Sequence, residues 1–161
     1  METLAPGAVW QHTLIAVSTE RPTEFIDITN RLEMLVGQAG VRSGILNLQT
    51  LHTTTAVVVN EHEPLLFDDF ESMFERTAPF GACYRHDDAA VRRVNVTMDE
   101  RVNGHAHCRA LLLSASVCLN IVSSRIQLGA WQRVFLVELD GPRDRRLSAM
   151  IVGDAGDGSR R

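Results

Sequence analysis

The sequence contains no lysine: all 16 of its basic residues are arginine. This excludes a Schiff base formed through a protein lysine, and it excludes a P-loop, whose motif requires lysine. A genome rich in arginine codons is the simplest explanation of this composition. The chemical consequence is the same in either case, because an anionic ligand must be held by arginine, histidine, backbone amides or a metal.

The chain also lacks the segments that would carry it to or through a membrane. No apolar run approaches the roughly 20 residues of a membrane-spanning helix. The start, METLAPGAVWQHTLIAV, has no basic leader followed by an apolar stretch. Three cysteines are present, spaced neither as a disulfide framework nor as a CxxC zinc site. We therefore expect a cytoplasmic protein with reduced thiols and no membrane contact, and the net charge of −4 argues against nucleic-acid binding.

Hydrophobic patterning predicts one compact α+β domain over residues 1–152, with a largely antiparallel sheet and flanking helices. A polar, frayed tail is expected at 153–161. The predicted helices cover 27–39, with Asp27 as a possible N-cap, 64–76 and 105–113. The predicted strands cover 8–18, two stretches within 44–60, then 115–122, 125–129, 131–139 and 147–152.

Three of the six histidines lie in unusual surroundings that suggest a site. His52 ends a strand before three threonines, His86 precedes Asp87 and Asp88, and His107 opens an apolar helix. Three neutral imidazoles can bind a divalent ion such as zinc, and an aspartate can orient an imidazole or act as a base. No complete zinc motif is present, so spacing alone favours a surface or hydrogen-bonded polar role for each single histidine over a ligand role.

The segment VNGHAHCRALLLSAS places His105 and His107 two residues apart. In a strand their rings point to opposite faces, and on a helix they lie about 200° apart. At most one of them is therefore expected to face a given site, and local geometry does not say which.

Three further segments each have a functional and a structural interpretation. Asn60 and Glu61 end an apolar strand, as a functional pair or as a polar loop. Trp131 and Gln132 begin a strand, where the tryptophan either stacks on a ligand or packs in the core. DGPRDRR at 140–146 is a turn whose arginines either bind an anion or are solvated.

Four separated motifs occur in the order expected of the YjbQ family, a group often labelled secondary thiamine-phosphate synthase. The segments are LHTTTAVVVNEHEP, YRHDD, NGHAHCRALLLSASV and LGAWQRVFLVELDGPRDRR. The resemblance runs from about residue 8 to residue 152. One departure is Ala130, which stands where the family motif has threonine.

The resemblance implies a compact α+β homotrimer with a metal pocket of three histidines, which match His52, His86 and His107. The position of His107 is histidine in the family pattern and that of His105 is not, so the resemblance selects His107. The implied cofactor is a divalent metal such as zinc, and the implied partner is a small phosphorylated or anionic substrate.

The family label implies joining of hydroxymethylpyrimidine pyrophosphate to thiazole phosphate, with the metal stabilising the leaving pyrophosphate. The residues expected to act as catalytic groups are Glu61, Asp87 and Asp88. The residues expected to bind substrate are Asn60, Arg109, Trp131 and Gln132. Two alternatives remain open: a metal-dependent hydrolase or lyase that uses a metal-bound water, and a non-catalytic metal- or ligand-binding trimer.

Overall fold

A computed structural model describes residues 8–97 and 101–155 of the chain. Its strands are β1 Ala8–Ser18, β2 Glu24–Asp27, β3 Ser43–Thr50, β4 Thr55–Glu61, β5 Ser116–Val122, β6 Arg125–Ile126, β7 Gln132–Glu138 and β8 Asp144–Asp154. Its helices are α1 Thr29–Ala39, α2 Pro64–Thr77 and α3 Gly104–Leu111, with a single 3-10 turn at Arg85–Asp87. None of these helices is both long and apolar enough to cross a membrane.

The strands form two antiparallel sheets. The larger sheet has the order β1-β8-β3-β5-β6, and the smaller one has the order β2-β7-β4. The predicted single-domain α+β fold with a largely antiparallel sheet is therefore confirmed. β8 continues through Asp154, so the domain extends two residues into the predicted tail, whose residues 156–161 lie outside the described range.

The small sheet is buried on both faces, and this decides its composition. One face packs with α1 and the larger sheet, through residues such as Leu32, Leu46 and Leu136. The other packs under α2 and α3, through Phe74 and Phe135. Val134 to Val137 of β7 have no exposed surface, which explains why this strand is a nearly continuous apolar run.

Two local predictions need correction. No strand was predicted between residues 18 and 27, but Glu24–Asp27 forms β2, a four-residue edge strand paired with β7. Helix α1 begins two residues later than expected, and Asp27 instead ends β2. Its Oδ1 still accepts the Thr29 N–H at 2.9 Å, so it satisfies the helix start without being the N-cap.

Candidate functional site

A polar cavity of about 500 Å³ opens at one end of the small sheet. Its walls come from the β3–β4 turn, the segment that begins with the 3-10 turn, the start of α3 and the β7–β8 loop. The described residues that line it are Leu51, His52, Thr53, Thr54, His86, Arg92, Asn95, Thr97, Arg101, Asn103, His107, Asp140, Arg143 and Arg145. The volume lies in the range of small-molecule sites.

Below the cavity, a buried ion pair fixes Arg145. Glu138 has no exposed surface and Arg145 is 5% exposed. Their carboxylate and guanidinium meet in a bidentate contact at 2.6 and 2.5 Å. The remaining acceptor capacity of Glu138 is met by the N–H groups of Leu139 and Asp140 and by the Thr19 hydroxyl. A charge buried this completely is tolerated because it is paired and fully hydrogen-bonded.

A second arginine is held in the same manner beside the first. Arg143 donates from Nε to the Asp140 carbonyl at 3.1 Å and from Nη2 to Asp140 Oδ2 at 2.7 Å. Asn103 Nδ2 donates to the same carboxylate oxygen at 3.0 Å. Arg145 likewise uses Nε and Nη2, the latter also donating to the Thr54 hydroxyl. In both arginines, Nη1 is therefore the donor group that forms no hydrogen bond to another described residue.

The Asp87 carboxylate joins the 3-10 turn to the start of α3. Asp87 Oδ1 accepts the N–H groups of Asn103 and Gly104 at 3.0 and 2.9 Å and lies 3.3 Å from His86 Nδ1. Burial alone would raise the pKa of Asp87, but these hydrogen bonds outweigh it and lower the pKa. Glycine is required at 104, because a Cβ there would lie 2.4 Å from the Tyr84 Cβ. Asp87 thus holds His86 and the first turn of α3 in fixed relation.

His52 is fixed by a backbone contact across the cavity mouth. Its Nε2 accepts the Arg146 N–H at 2.8 Å. Burial, and then the positive charge of Arg145, lowers the pKa of His52, so the ring is neutral at pH 7. A neutral imidazole that accepts at Nε2 carries its proton on Nδ1, and His52 therefore presents an N–H donor.

Only one of the two histidines of the HAH segment lines the cavity, as helix geometry requires. His107 lines the cavity, with its ring centroid 4.5 Å from that of His86. Burial, and then His86, lowers the pKa of His107. His105 is 3% exposed and packs its ring 4.6 Å from Phe80, outside the cavity lining. His105 is therefore a buried residue at the start of α3 that does not line the cavity.

The three-histidine metal pocket is wrong, although all three histidines line one cavity. Within residues 8–97 and 101–155, no three His, Cys, Asp or Glu side chains are grouped so as to hold a metal ion. His52 commits its Nε2 lone pair to a backbone amide, so the neutral ring has no lone pair free for a metal. The divalent cofactor such as zinc stays a prediction.

The other predicted site residues lie apart from this cavity. Asn60 and Glu61 end β4 and pair with Arg133 and Gln132, at the opposite end of the small sheet. Trp131 directly precedes Gln132 at this opposite end and is 74% exposed. Their predicted catalytic and substrate-binding roles stay predictions.

Arg109 and Asp88 have local contacts of their own. Arg109 is 3% exposed, donates to the Ala78 carbonyl at 2.9 Å and forms an ion pair with Glu75. These contacts hold α3 against the end of α2. Asp88 is exposed and accepts the Ala90 N–H at 2.8 Å. Neither is among the described residues that line the cavity, and their site roles also stay predictions.

Sequence reasoning missed Glu138, Arg145, Asp140 and Asn103. One signal was present: Glu138 is a lone charge within the apolar run VFLVEL. A buried charge requires a partner, and the nearest candidates were the arginines of DGPRDRR. That turn, for which anion binding was one of two interpretations, does line the cavity.

Comparison with known proteins gives one family over nearly the whole chain. The sequence model of the YjbQ family, described as UPF0047 protein YjbQ-like, matches residues 13–154. A UPF0047 protein of Methanothermobacter thermautotrophicus is 37% identical over 139 residues, covering 86% of this chain and 90% of the relative. One from Archaeoglobus fulgidus is 38% identical over 133 residues, covering 83% and 94%.

Solved structures agree with this assignment. A YbjQ-like protein of unknown function from Sulfolobus solfataricus superposes with a TM-score of 0.80 at 32% identity, covering 91% of this chain and 99% of its own. A hypothetical protein from Aeropyrum pernix gives 0.78 at 31% identity, covering 89% and 99%.

These findings correct the functional prediction. The relatives carry the name UPF0047, and the Sulfolobus structure is described as of unknown function. Together with the missing metal cluster among the described residues, this leaves the predicted thiamine-phosphate synthase activity without support, and the prediction is wrong. The metal-dependent alternatives relied on the same histidine ligands. The sequence model and the relatives establish the assignment that remains: the chain belongs to the YjbQ (UPF0047) family.

Proposed function

We propose that the cavity binds a small anionic ligand through arginine and neutral imidazole. The observation that carries the proposal is the pair Arg143 and Arg145. Arg145 donates from Nε and Nη2 to the Glu138 carboxylate, and Arg143 donates from Nε to the Asp140 carbonyl and from Nη2 to the Asp140 carboxylate. Both line the cavity, and Nη1 of each forms no hydrogen bond to another described residue.

This arrangement suits anion recognition for two reasons. The guanidinium groups are held before the ligand arrives, so little side-chain entropy is lost on binding. Charge-assisted hydrogen bonds to phosphate or carboxylate are about twice as strong as neutral ones. His52 adds a neutral N–H donor, and since the sequence has no lysine, arginine supplies the permanent side-chain charge.

Calorimetric titration with inorganic phosphate tests this proposal. We expect saturable binding to the wild-type protein and at least about tenfold weaker binding to Arg143→Gln, the cost of one or two charge-assisted bonds. Arg76→Gln is the matched control, since Arg76 lies exposed in the last turn of α2. Arg143 is chosen over Arg145 because removing Arg145 would leave Glu138 buried without its partner. Absence of binding, or equal weakening by both variants, would overturn the proposal.

We also propose that the protein is a homotrimer, as its resemblance to the family implies. The outer face of the larger sheet supports association with further copies. Trp10, Val152 and Ile45 lie side by side on it across β1, β8 and β3, with exposures of 60%, 40% and 42%. Exposed apolar clusters of this kind mark interaction surfaces.

Light scattering after size exclusion tests the assembly. We expect three times the 17.9 kDa chain mass for the wild type and a smaller mass for Trp10→Glu. Met34→Glu, at an exposed position of α1, is the control and should keep the wild-type mass. A monomeric or dimeric wild-type protein would contradict the trimer.

We propose a cytoplasmic location on the basis of the cysteines. Cys83, Cys108 and Cys118 are free and exposed, which suits a reducing compartment. Cell fractionation should find the protein with cytoplasmic markers, and recovery from an oxidising compartment would contradict this.

A further inference from the structure

The lining of the proposed anion-binding cavity is almost entirely polar, also away from Arg143 and Arg145. Every described lining residue except Leu51 is polar or charged. Small-molecule sites are more often lined mainly by apolar and aromatic side chains. A ligand with a large apolar or aromatic part would leave these polar groups without partners, so the lining selects against one.

The neutral groups in the lining are those that pair with hydroxyls. Thr53 contributes an exposed hydroxyl. Thr54 accepts from Arg145 Nη2 at 3.1 Å, which leaves its own O–H as a donor. The Asp140 carboxylate accepts from Asn103 and Arg143 at Oδ2, and Oδ1 remains as an acceptor.

Asn103 supplies a second and independent observation. Its side chain is 7% exposed, and its Nδ2 donates to the Asp140 carboxylate, which fixes the orientation of the amide because a carboxylate only accepts. Its Oδ1 is buried and has no hydrogen-bond donor among the described residues. A buried acceptor in this state requires a donor that the described residues do not supply, and because Asn103 lines the cavity, a bound water or a ligand hydroxyl there can provide it.

We propose that the ligand is a phosphorylated polyol, such as a sugar phosphate. The phosphate meets Arg143, Arg145 and the His52 N–H, and the hydroxyls meet the threonines, Asp140 and Asn103. Phosphate fits the charged end because its three terminal oxygens can accept from several separate donors at once. The cavity volume of about 500 Å³ accommodates a ligand of this size. This inference rests on the proposed anion binding and narrows it to one class of ligand.

Calorimetric titration of the full chain with three phosphates tests the inference. The probes are inorganic phosphate, a hexose phosphate and phenyl phosphate; the two esters share a charged group and differ in the organic part. We expect the hexose phosphate to bind at least about tenfold more tightly than phenyl phosphate. If phenyl phosphate binds as tightly as the hexose phosphate, or more tightly, the inference is overturned while anion binding stands. If none of the three binds, the proposed function fails as well.

A conservative variant tests whether a hydroxyl in the cavity lining contributes to the affinity for the hexose phosphate. Thr53→Val removes one exposed hydroxyl and should weaken the hexose phosphate severalfold while leaving inorganic phosphate unchanged. Thr77→Val is the control, because the Thr77 hydroxyl bonds the Met73 carbonyl in α2 and lies outside the described cavity lining. Unchanged hexose phosphate binding in Thr53→Val, with the tenfold preference also absent, would count against the polyol class.

Discussion

The two ends of the small sheet carry similar residue types in very different surroundings. At one end, Glu138 and Arg145 are buried and joined by two hydrogen bonds at the cavity. At the other, Asp27 bonds Arg133 and His62, whose side chains are 35% and 50% exposed. Arg133 and Glu138 lie about 17 Å apart along β7 by the rise of a strand. We call these the cavity end and the far end.

The difference shows how burial allows an ion pair to fix the position of a side chain. At the far end the partners of Asp27 are partly solvated, so water competes with each of them, although the hydrogen bonds together hold the pKa of Asp27 well below its usual range. At the cavity end the Glu138 carboxylate has no exposed surface, so water does not compete for its contact with Arg145. A guanidinium fixed in this way loses little side-chain entropy when it binds a ligand.

The largest effect that tests this comparison is on stability. We expect Glu138→Gln to lower the free energy of unfolding by about 3–5 kcal/mol, because it leaves Arg145 as a buried charge without a counterion. Asp27→Asn should cost only about 1–2 kcal/mol, since its partners are partly solvated. Urea denaturation monitored by circular dichroism measures both. Equal costs, or a larger cost for Asp27→Asn, would mean that burial does not distinguish the two ends.

A smaller effect is expected on the pH dependence of stability. Burial lowers the pKa of His52, His105 and His107 below the ordinary value of about 6.5. The unfolded chain therefore binds protons more readily than the folded one. The stability contributed by the neutral rings is complete above that value and is lost as the pH falls below it.

The pH series should include one variant of the most buried ring. The free energy of unfolding of the wild type should fall between about pH 7 and about pH 5, and the slope should be shallower in His105→Gln. The comparison uses slopes, so an overall loss of stability in the variant does not affect it. An unchanged slope would show that His105 titrates alike in the folded and unfolded chains.

The smallest effects are expected at the far end. Trp131→Ala should change the free energy of unfolding by no more than about 0.5 kcal/mol, because the ring is 74% exposed. Neither this variant nor Gln132→Ala should change the affinity of the cavity for phosphate. A loss of affinity in either would restore the predicted substrate-binding role of these residues and bring the far end into the site.

The order of elements could be predicted from local signals. Pro64 and the apolar spacing predicted α2, and the polar HTTT segment predicted the break between β3 and β4. β2 could not be predicted, since a four-residue edge strand has no distinctive periodicity and depends on its partner β7.

The candidate site was predictable only in part. The motifs identified His52, His86 and His107, which do line one cavity. They did not reveal that the lone pair of His52 is used by the Arg146 amide, because that contact joins residues 94 apart in the chain. Nor could they reveal that Asn60 and Gln132 lie at the far end, since this follows from the antiparallel register of β4 and β7.

The central claim is that an anion binds at the cavity end and not at the far end. Histidine side-chain NMR reports on both ends in one titration with inorganic phosphate, because His52 and His107 line the cavity and His62 bonds Asp27 at the far end. We predict that the imidazole resonances of His52 and His107 shift together and saturate, while those of His62 stay in place. Shifts of His62 with the same midpoint, or no shift at His52 and His107, would contradict the account.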